Sequence, residues 1–115
     1  ITIVDTVGKF HFYKFANLLN KFGIKVWCVY DGDIDACKNH ISHKALNENI
    51  EKLKTNGVIK GSLRLDPDLE YSIGIKKEEC VDVEFYVNLE ENKSNCINSI
   101  GYLNIVDFVK NVIAA

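Results

Sequence analysis

Apolar positions along the chain change period as they go, and the changes mark out its elements. From about Phe10 to Phe22, the residues Phe12, Phe15, Leu18, Leu19 and Phe22 recur three and four apart, which gathers them on one stripe of a helix. Gly23 follows as a helix stop. Ahead of this helix Ile1-Thr2-Ile3-Val4-Asp5 is a β-branched run that ends at Thr6-Val7-Gly8-Lys9, so the opening predicts strand, glycine turn, helix. Ile24 to Tyr30 is apolar on both sides of its alternation, the pattern of an interior strand covered by helices on both faces, and it stops at Asp31-Gly32-Asp33.

A second helix is predicted from Ala36 to about Thr55, with Ile41, Ala45, Ile50 and Leu53 inward and Asn56-Gly57 as its end. Ser62 to Leu65 reads as a short strand. Asp66-Pro67-Asp68 then reads as a helix start, because proline suits the first turn and carboxylates favour the positive helix end. Val81 to Leu89 alternates like a half-buried strand, Glu90 to Ser94 is a polar connection, and Leu103, Val106, Val109, Val112 and Ile113 predict a terminal helix over Tyr102 to Ile113. Strands alternating with helices imply right-handed crossovers and an α/β fold with a mainly parallel sheet. No repeat or linker divides the chain, so a single domain spanning 1–115 is expected.

Composition narrows the function classes. The 115 residues are 47% hydrophobic and 26% charged, a globular balance in one domain-sized chain. A net charge of −2 disfavours a strongly basic nucleic-acid binder, yet it leaves room for a nuclease whose carboxylates hold metal ions. Arg64 is the only arginine, which reads as coding bias. No apolar run approaches the length of a membrane span and the start lacks the marks of a signal peptide, so the expected setting is cytoplasmic with no membrane partner. Cys28, Cys37, Cys80 and Cys96 form no Cys-x-x-Cys pair and are expected as reduced thiols.

Asp31 and Asp33 stand where ligands bind in an open parallel sheet, beyond the carboxyl end of a strand. Both carboxylates of an Asp-x-Asp can turn toward one ion, Gly32 permits close backbone approach, and hard oxygen donors favour magnesium or manganese. Asp35 adds a third carboxylate as helix cap or outer support. The plainer explanation is that these aspartates end a strand and cap a helix. Against it, three alternating carboxylates after so apolar a strand concentrate like charge that a cation would relieve.

The order Ile3-Val4-Asp5-Thr6-Val7-Gly8-Lys9, aromatic helix, Leu19-Asn20-Lys21-Phe22-Gly23-Ile24-Lys25-Val26, then Val29-Tyr30-Asp31-Gly32-Asp33 resembles the TOPRIM domain of the overcoming-lysogenisation-defect (OLD) family of ATP-dependent endonucleases. The resemblance implies a TOPRIM or Rossmann-like sheet and metal-dependent cleavage of phosphodiester bonds in DNA. It makes Asp31 and Asp33 catalytic metal ligands for Mg2+ or Mn2+, and it implies an upstream ATPase domain in the same polypeptide. Asp68-Leu69-Glu70 matches the family's later acidic motif, which makes Glu70 a further catalytic and metal-site carboxylate and Asp68 a weaker one. A Pro-Asp-Leu-Glu helix start explains the same residues without a metal. The family pattern opens with a Val-Glu-Gly strand that this chain does not contain. The expectation is therefore a fragment truncated at the N-terminus or a degenerate relative, inactive or weak alone, with a second copy in a homodimer among its candidate partners.

Other residue groups carry less. Gly8-Lys9 would set an amide and an ammonium near phosphate, but there is no P-loop pattern around them. Cys37, His40 and His43 have zinc-compatible spacing, but no fourth ligand is evident, and partly exposed polar helix positions explain them without zinc. Lys76 and Lys77 read as a solvated pair, and His11 as a surface residue. A strand followed by Asp-Gly-Asp is also the start of a haloacid-dehalogenase-like phosphatase, with Asp31 as nucleophile. Here a strand and helix precede it, and no paired-aspartate motif follows. A non-catalytic regulatory TOPRIM-like module is the third reading.

Overall fold

Two stretches of the chain use one local device to turn from helix into strand. In Leu19-Asn20-Lys21-Phe22-Gly23-Ile24 the Gly23 N–H donates to the Asn20 carbonyl and the Ile24 N–H to the Leu19 carbonyl, both at 3.0 Å. In Leu53-Lys54-Thr55-Asn56-Gly57-Val58 the Gly57 N–H reaches Lys54 at 3.1 Å and the Val58 N–H reaches Leu53 at 2.9 Å. This is the paired closure of a Schellman end, which needs a left-handed residue after the cap. Gly23 and Gly57 supply it with φ of 74° and 77°.

The computed structural model describes residues 2–6, 8–33, 40–74 and 93–115, with backbone alone at His40, Ile41, Ser42 and Glu70. Within them the order is α1 (Lys9–Lys21), β1 (Trp27–Asp31), α2 (His40–Thr55), β2 (Gly61–Leu65), α3 (Leu69–Ser72), α4 (Lys93–Ile97) and α5 (Ile100–Ala114). β1 and β2 pair in parallel from Trp27 opposite Gly61 to Asp31 opposite Leu65. The fold is α/β, with a small parallel two-stranded sheet flanked by helices among the described residues, consistent with a TOPRIM or Rossmann-like architecture. No helix among the described residues is long and apolar enough to cross a membrane.

Phe12 and Ala16 of α1, Cys28 and Tyr30 of β1, Ile50 and Leu53 of α2, and Ile59 form the main core. A smaller cluster joins Ile73 to Cys96, with Leu69 and Ile105 against it. The Tyr30 hydroxyl donates to Glu51 Oε1 at 2.7 Å and the Ser62 hydroxyl to the same oxygen at 2.9 Å, tying both strands to α2. Burial, with the charge of Glu51 beside it, pushes the Cys28 thiol up to about 12, so this cysteine is packing rather than nucleophile.

Several expectations are corrected. Residues 2–6 belong to no strand, and Ile3 is 90% exposed; β-branched residues favour a strand only where another strand lies alongside. The buried stripe of α1 is Phe12 and Ala16 with Leu19 half-buried, while Phe15, Leu18 and Phe22 are exposed. In α2, Ala45 is exposed and Asn47 turns inward instead. β1 buries one face, at Cys28 and Tyr30, whereas Val29 is exposed. Lys93 and Ser94 open the short helix α4 rather than continuing a connection. The start of the second helix before His40 and the strand over Val81 to Leu89 lie outside the described residues.

Two stability measurements test this framework. Ile59 is the largest fully buried side chain among the described residues, so Ile59→Ala should cost about 2–5 kcal/mol and Ile59→Val about 0.5–1.5 kcal/mol in urea unfolding; equal, small losses would contradict the packing. The second concerns pH. The Tyr30 hydroxyl, with the Ser62 hydroxyl, Lys54 and Arg64 acting the same way and burial opposing, holds the Glu51 carboxyl below its ordinary 4.5. A carboxyl with a lower pKa folded than unfolded adds stability above the unfolded value and loses it as pH falls through the folded one. The urea midpoint should therefore drop as pH goes from about 5 toward 3, and Glu51→Gln should flatten that drop; an unaltered slope in Glu51→Gln excludes the contact as its source.

Candidate functional site

The parallel ladder does not end with β1. Gly32 N–H donates to the Leu65 carbonyl and Asp33 N–H to the Pro67 carbonyl, each at 2.8 Å, so the whole Asp31-Gly32-Asp33 turn is pinned to the chain leaving β2. Asp33 sits there with a φ of 56°, a left-handed conformation that aspartate tolerates better than most residues.

The two carboxylates engage different parts of the fold. Asp31, half-buried, accepts the Leu69 N–H at 2.9 Å through Oδ1. It thereby receives one of the backbone N–H groups that a helix start leaves without an internal partner. The adjacent Asp68 is buried and caps the same helix, its Oδ1 accepting the Tyr71 N–H at 2.8 Å. Glu70 follows Leu69 directly, and its side chain lies outside the described residues, as do Asp35, Cys37, the His40 side chain, Lys76 and Lys77.

Asp33 meets a junction of α1 and α2. Its Oδ2 lies 3.1 Å from Lys9 Nζ, with the two side chains 10% and 21% exposed for Lys9 and Asp33. The same ammonium reaches Asn47 Oδ1 at 3.0 Å, His43 Nδ1 at 3.2 Å and the Gly32 carbonyl at 3.3 Å. Asn47, itself buried, donates its Nδ2 to that carbonyl at 2.8 Å, which fixes the direction of its amide. Lys9 has only protons to give, so any hydrogen bond it makes to His43 is one in which Nδ1 accepts. His43 Nδ1 also stands 3.7 Å from Asp33 Oδ2.

Arg64 and Asp66 make an outer pair at 2.7 Å beside the turn. No buried side-chain nitrogen or oxygen among the described residues lacks a partner. Sequence reading located Asp31 and Asp33 but missed the Lys9, His43 and Asn47 network. The pattern alone offers no more than a phosphate contact for Gly8-Lys9 and an exposed helix position for His43. The available signal was spacing: Lys9, Phe12, Ala16 and Leu19 run three, four and three apart, so Lys9 shares the buried stripe, and His43 and Asn47 are one helical turn apart.

Chemically, Asp31 and Asp33 are hard oxygen donors at the carboxyl end of a parallel strand, held in place by a backbone N–H and an ammonium. Carboxylates are the hard oxygen donors that magnesium or manganese takes, and here each is engaged by a different partner, Asp31 by the Leu69 N–H and Asp33 by the Lys9 ammonium. Among the described residues no group of three or more His, Cys, Asp or Glu is gathered as a metal cluster.

The described part of the chain is thus a small parallel sheet whose first strand ends in an acidic turn. Comparison with family models is consistent with this: the model described as overcoming lysogenization defect protein-like, TOPRIM domain, matches residues 1–33. The match ends on Asp33 and leaves the remainder of the chain unsupported, and it supports at most a metal-dependent nuclease or nucleotidyl-transfer module. No curated protein and no solved structure matches the chain.

The cap gives a local test. Asp68→Ala removes the acceptor for the Tyr71 N–H and should cost about 0.5–2 kcal/mol, with Asp68→Asn losing less. Equal losses in both, measured by thermal unfolding, would show that the carboxylate acts there through something other than capping.

Proposed function

We propose that the chain is the TOPRIM-type module of a divalent-metal-dependent DNA endonuclease, with Asp31 and Asp33 holding Mg2+ or Mn2+ and Glu70 as a further carboxylate of the centre. The observation that carries this reading is the coincidence of the family match, which runs to Asp33, with an acidic turn at the carboxyl end of β1. When bound, the metal polarises a phosphodiester oxygen and lowers the pKa of its water. The chain's own contribution is preorganisation: the Leu69 N–H orients Asp31, and the Lys9 ammonium with the Pro67 carbonyl orients Asp33. Glu70 is carried along on α3, whose first N–H already anchors to Asp31.

The same reading takes the chain as one TOPRIM-like domain of a larger cytoplasmic ATPase–nuclease, with DNA as substrate, an ATPase domain upstream and a homodimer as a possible assembly. In this setting the isolated module is weak or inactive.

The test is nicking of supercoiled plasmid by the intact natural polypeptide with Mg2+ or Mn2+. Asp31→Ala and Asp33→Ala should each lower the rate by about 100-fold or more, as loss of a group that stabilises transition-state charge does, without loss of fold by circular dichroism. Undiminished nicking by the double variant, or no nicking by wild type, sinks the assignment. Phosphomonoester turnover with an acyl-phosphate trapped at Asp31 would establish the haloacid-dehalogenase-like phosphatase in its place. Absence of both activities would favour the regulatory module.

A further inference from the structure

A lysine on the buried stripe of a helix needs an explanation. Lysine normally lays its methylenes along apolar surface and leaves its ammonium in water, but the Lys9 side chain is only 10% exposed. Its Nζ is met by four acceptors, Asn47 Oδ1 at 3.0 Å, Asp33 Oδ2 at 3.1 Å, His43 Nδ1 at 3.2 Å and the Gly32 carbonyl at 3.3 Å. An ammonium has three protons to give, so these acceptors exceed what hydrogen bonding alone demands. Three oxygens and one imidazole nitrogen converging on one positive centre form a cation cage.

Mere fastening of α1 to α2 would need only Asn47 and the Gly32 carbonyl. Asp33 adds a full negative charge, and it holds a left-handed backbone to do so. The lysine is therefore matched to the acid, and the acid to the lysine.

We infer that Lys9 is a built-in counter-ion that positions Asp33, keeping the acidic turn assembled without a metal and competing with any divalent cation that uses the same carboxylate. The competition rests on the metal reading given above; the counter-ion role rests on the cage alone. Asp33 Oδ2 is committed to the ammonium, so a divalent cation taking this carboxylate does so beside a positive charge. Two like charges that share one carboxylate in a poorly hydrated junction repel strongly. Lys9 thus trades cation affinity for a carboxylate already in place.

Two measurements on the intact polypeptide test this. In titration calorimetry with Mn2+, Lys9→Met should bind about tenfold or more tighter than wild type, the direction set by removing a neighbouring positive charge, while Lys9→Arg should stay near wild type. In metal-free urea unfolding, Lys9→Met and Asp33→Asn should each lower the midpoint. The double variant should then lose clearly less than the two losses added, because it strands neither charge. Measurable Mn2+ binding that is equal or weaker in Lys9→Met overturns the competition, and additive losses in the unfolding cycle overturn the counter-ion role. If neither wild type nor Lys9→Met binds Mn2+, the metal reading of Asp31 and Asp33 falls on its own. In that outcome the counter-ion role is upheld by coupling in the cycle and overturned by additivity. Lys9→Arg, which keeps the charge, separates lost charge from general unfolding in both experiments.

Discussion

An ammonium taken out of water must be given back its acceptors, and the acidic end of β1 is organised around that demand at Lys9. Withdrawing such a group from solvent costs several kcal/mol unless partners replace the lost water. Each partner then constrains a different element. The Gly32 carbonyl ties the turn after β1, Asn47 and His43 bring in α2, and Asp33 supplies the balancing charge. The rotation of α1 follows from the same demand, since Lys9 inward carries Phe12 and Ala16 inward with it and leaves Phe15, Leu18 and Phe22 exposed.

Those features of the fold that depend on neighbours in sequence were legible in advance. The ends of α1 and α2 could be read from Phe22-Gly23-Ile24 and Asn56-Gly57-Val58, because a Schellman closure is made within six residues. The strand ends at Asp31 and Leu65 and the parallel pairing they permit followed from the same alternation of elements. The facing of each element was not legible. Whether α1 buries Phe15 or Ala16, and whether α2 buries Ala45 or Asn47, depends on what lies across from the helix. Thr2 to Asp5 form no strand for a related reason: their β-branched residues state a preference that only an adjacent strand would satisfy.

The site divides along the same line. Asp31 and Asp33 were legible as the point where an apolar strand gives way to carboxylates, and Asp68 as a cap ahead of a short helix, which the Tyr71 N–H confirms. Their partners were not legible, because Lys9 to Asp33, and Asp31 to Leu69, are contacts across the fold. The hydropathy pattern counts lysine as polar and places it outside. A lysine at the head of the stripe Phe12, Ala16, Leu19 is read correctly only once four acceptors are seen around it.

The extent of the family match bears on how the site is put together. Residues 1–33 contain Lys9, Gly32 and Asp33, that is, the positive charge, the turn and the acid. Asn47, His43 and Leu69 lie beyond the match, yet they hold the ammonium and Asp31 in place. The matched stretch could not form this junction alone, since without α2 the Lys9 ammonium would lose half of its acceptors and return to water. A charge pair of this kind contributes little when solvated and much more when enclosed. The unmatched part of the chain is thus what gives the Lys9–Asp33 pair its electrostatic weight, by closing the junction from the side of α2 while α3 holds Asp31 from the other.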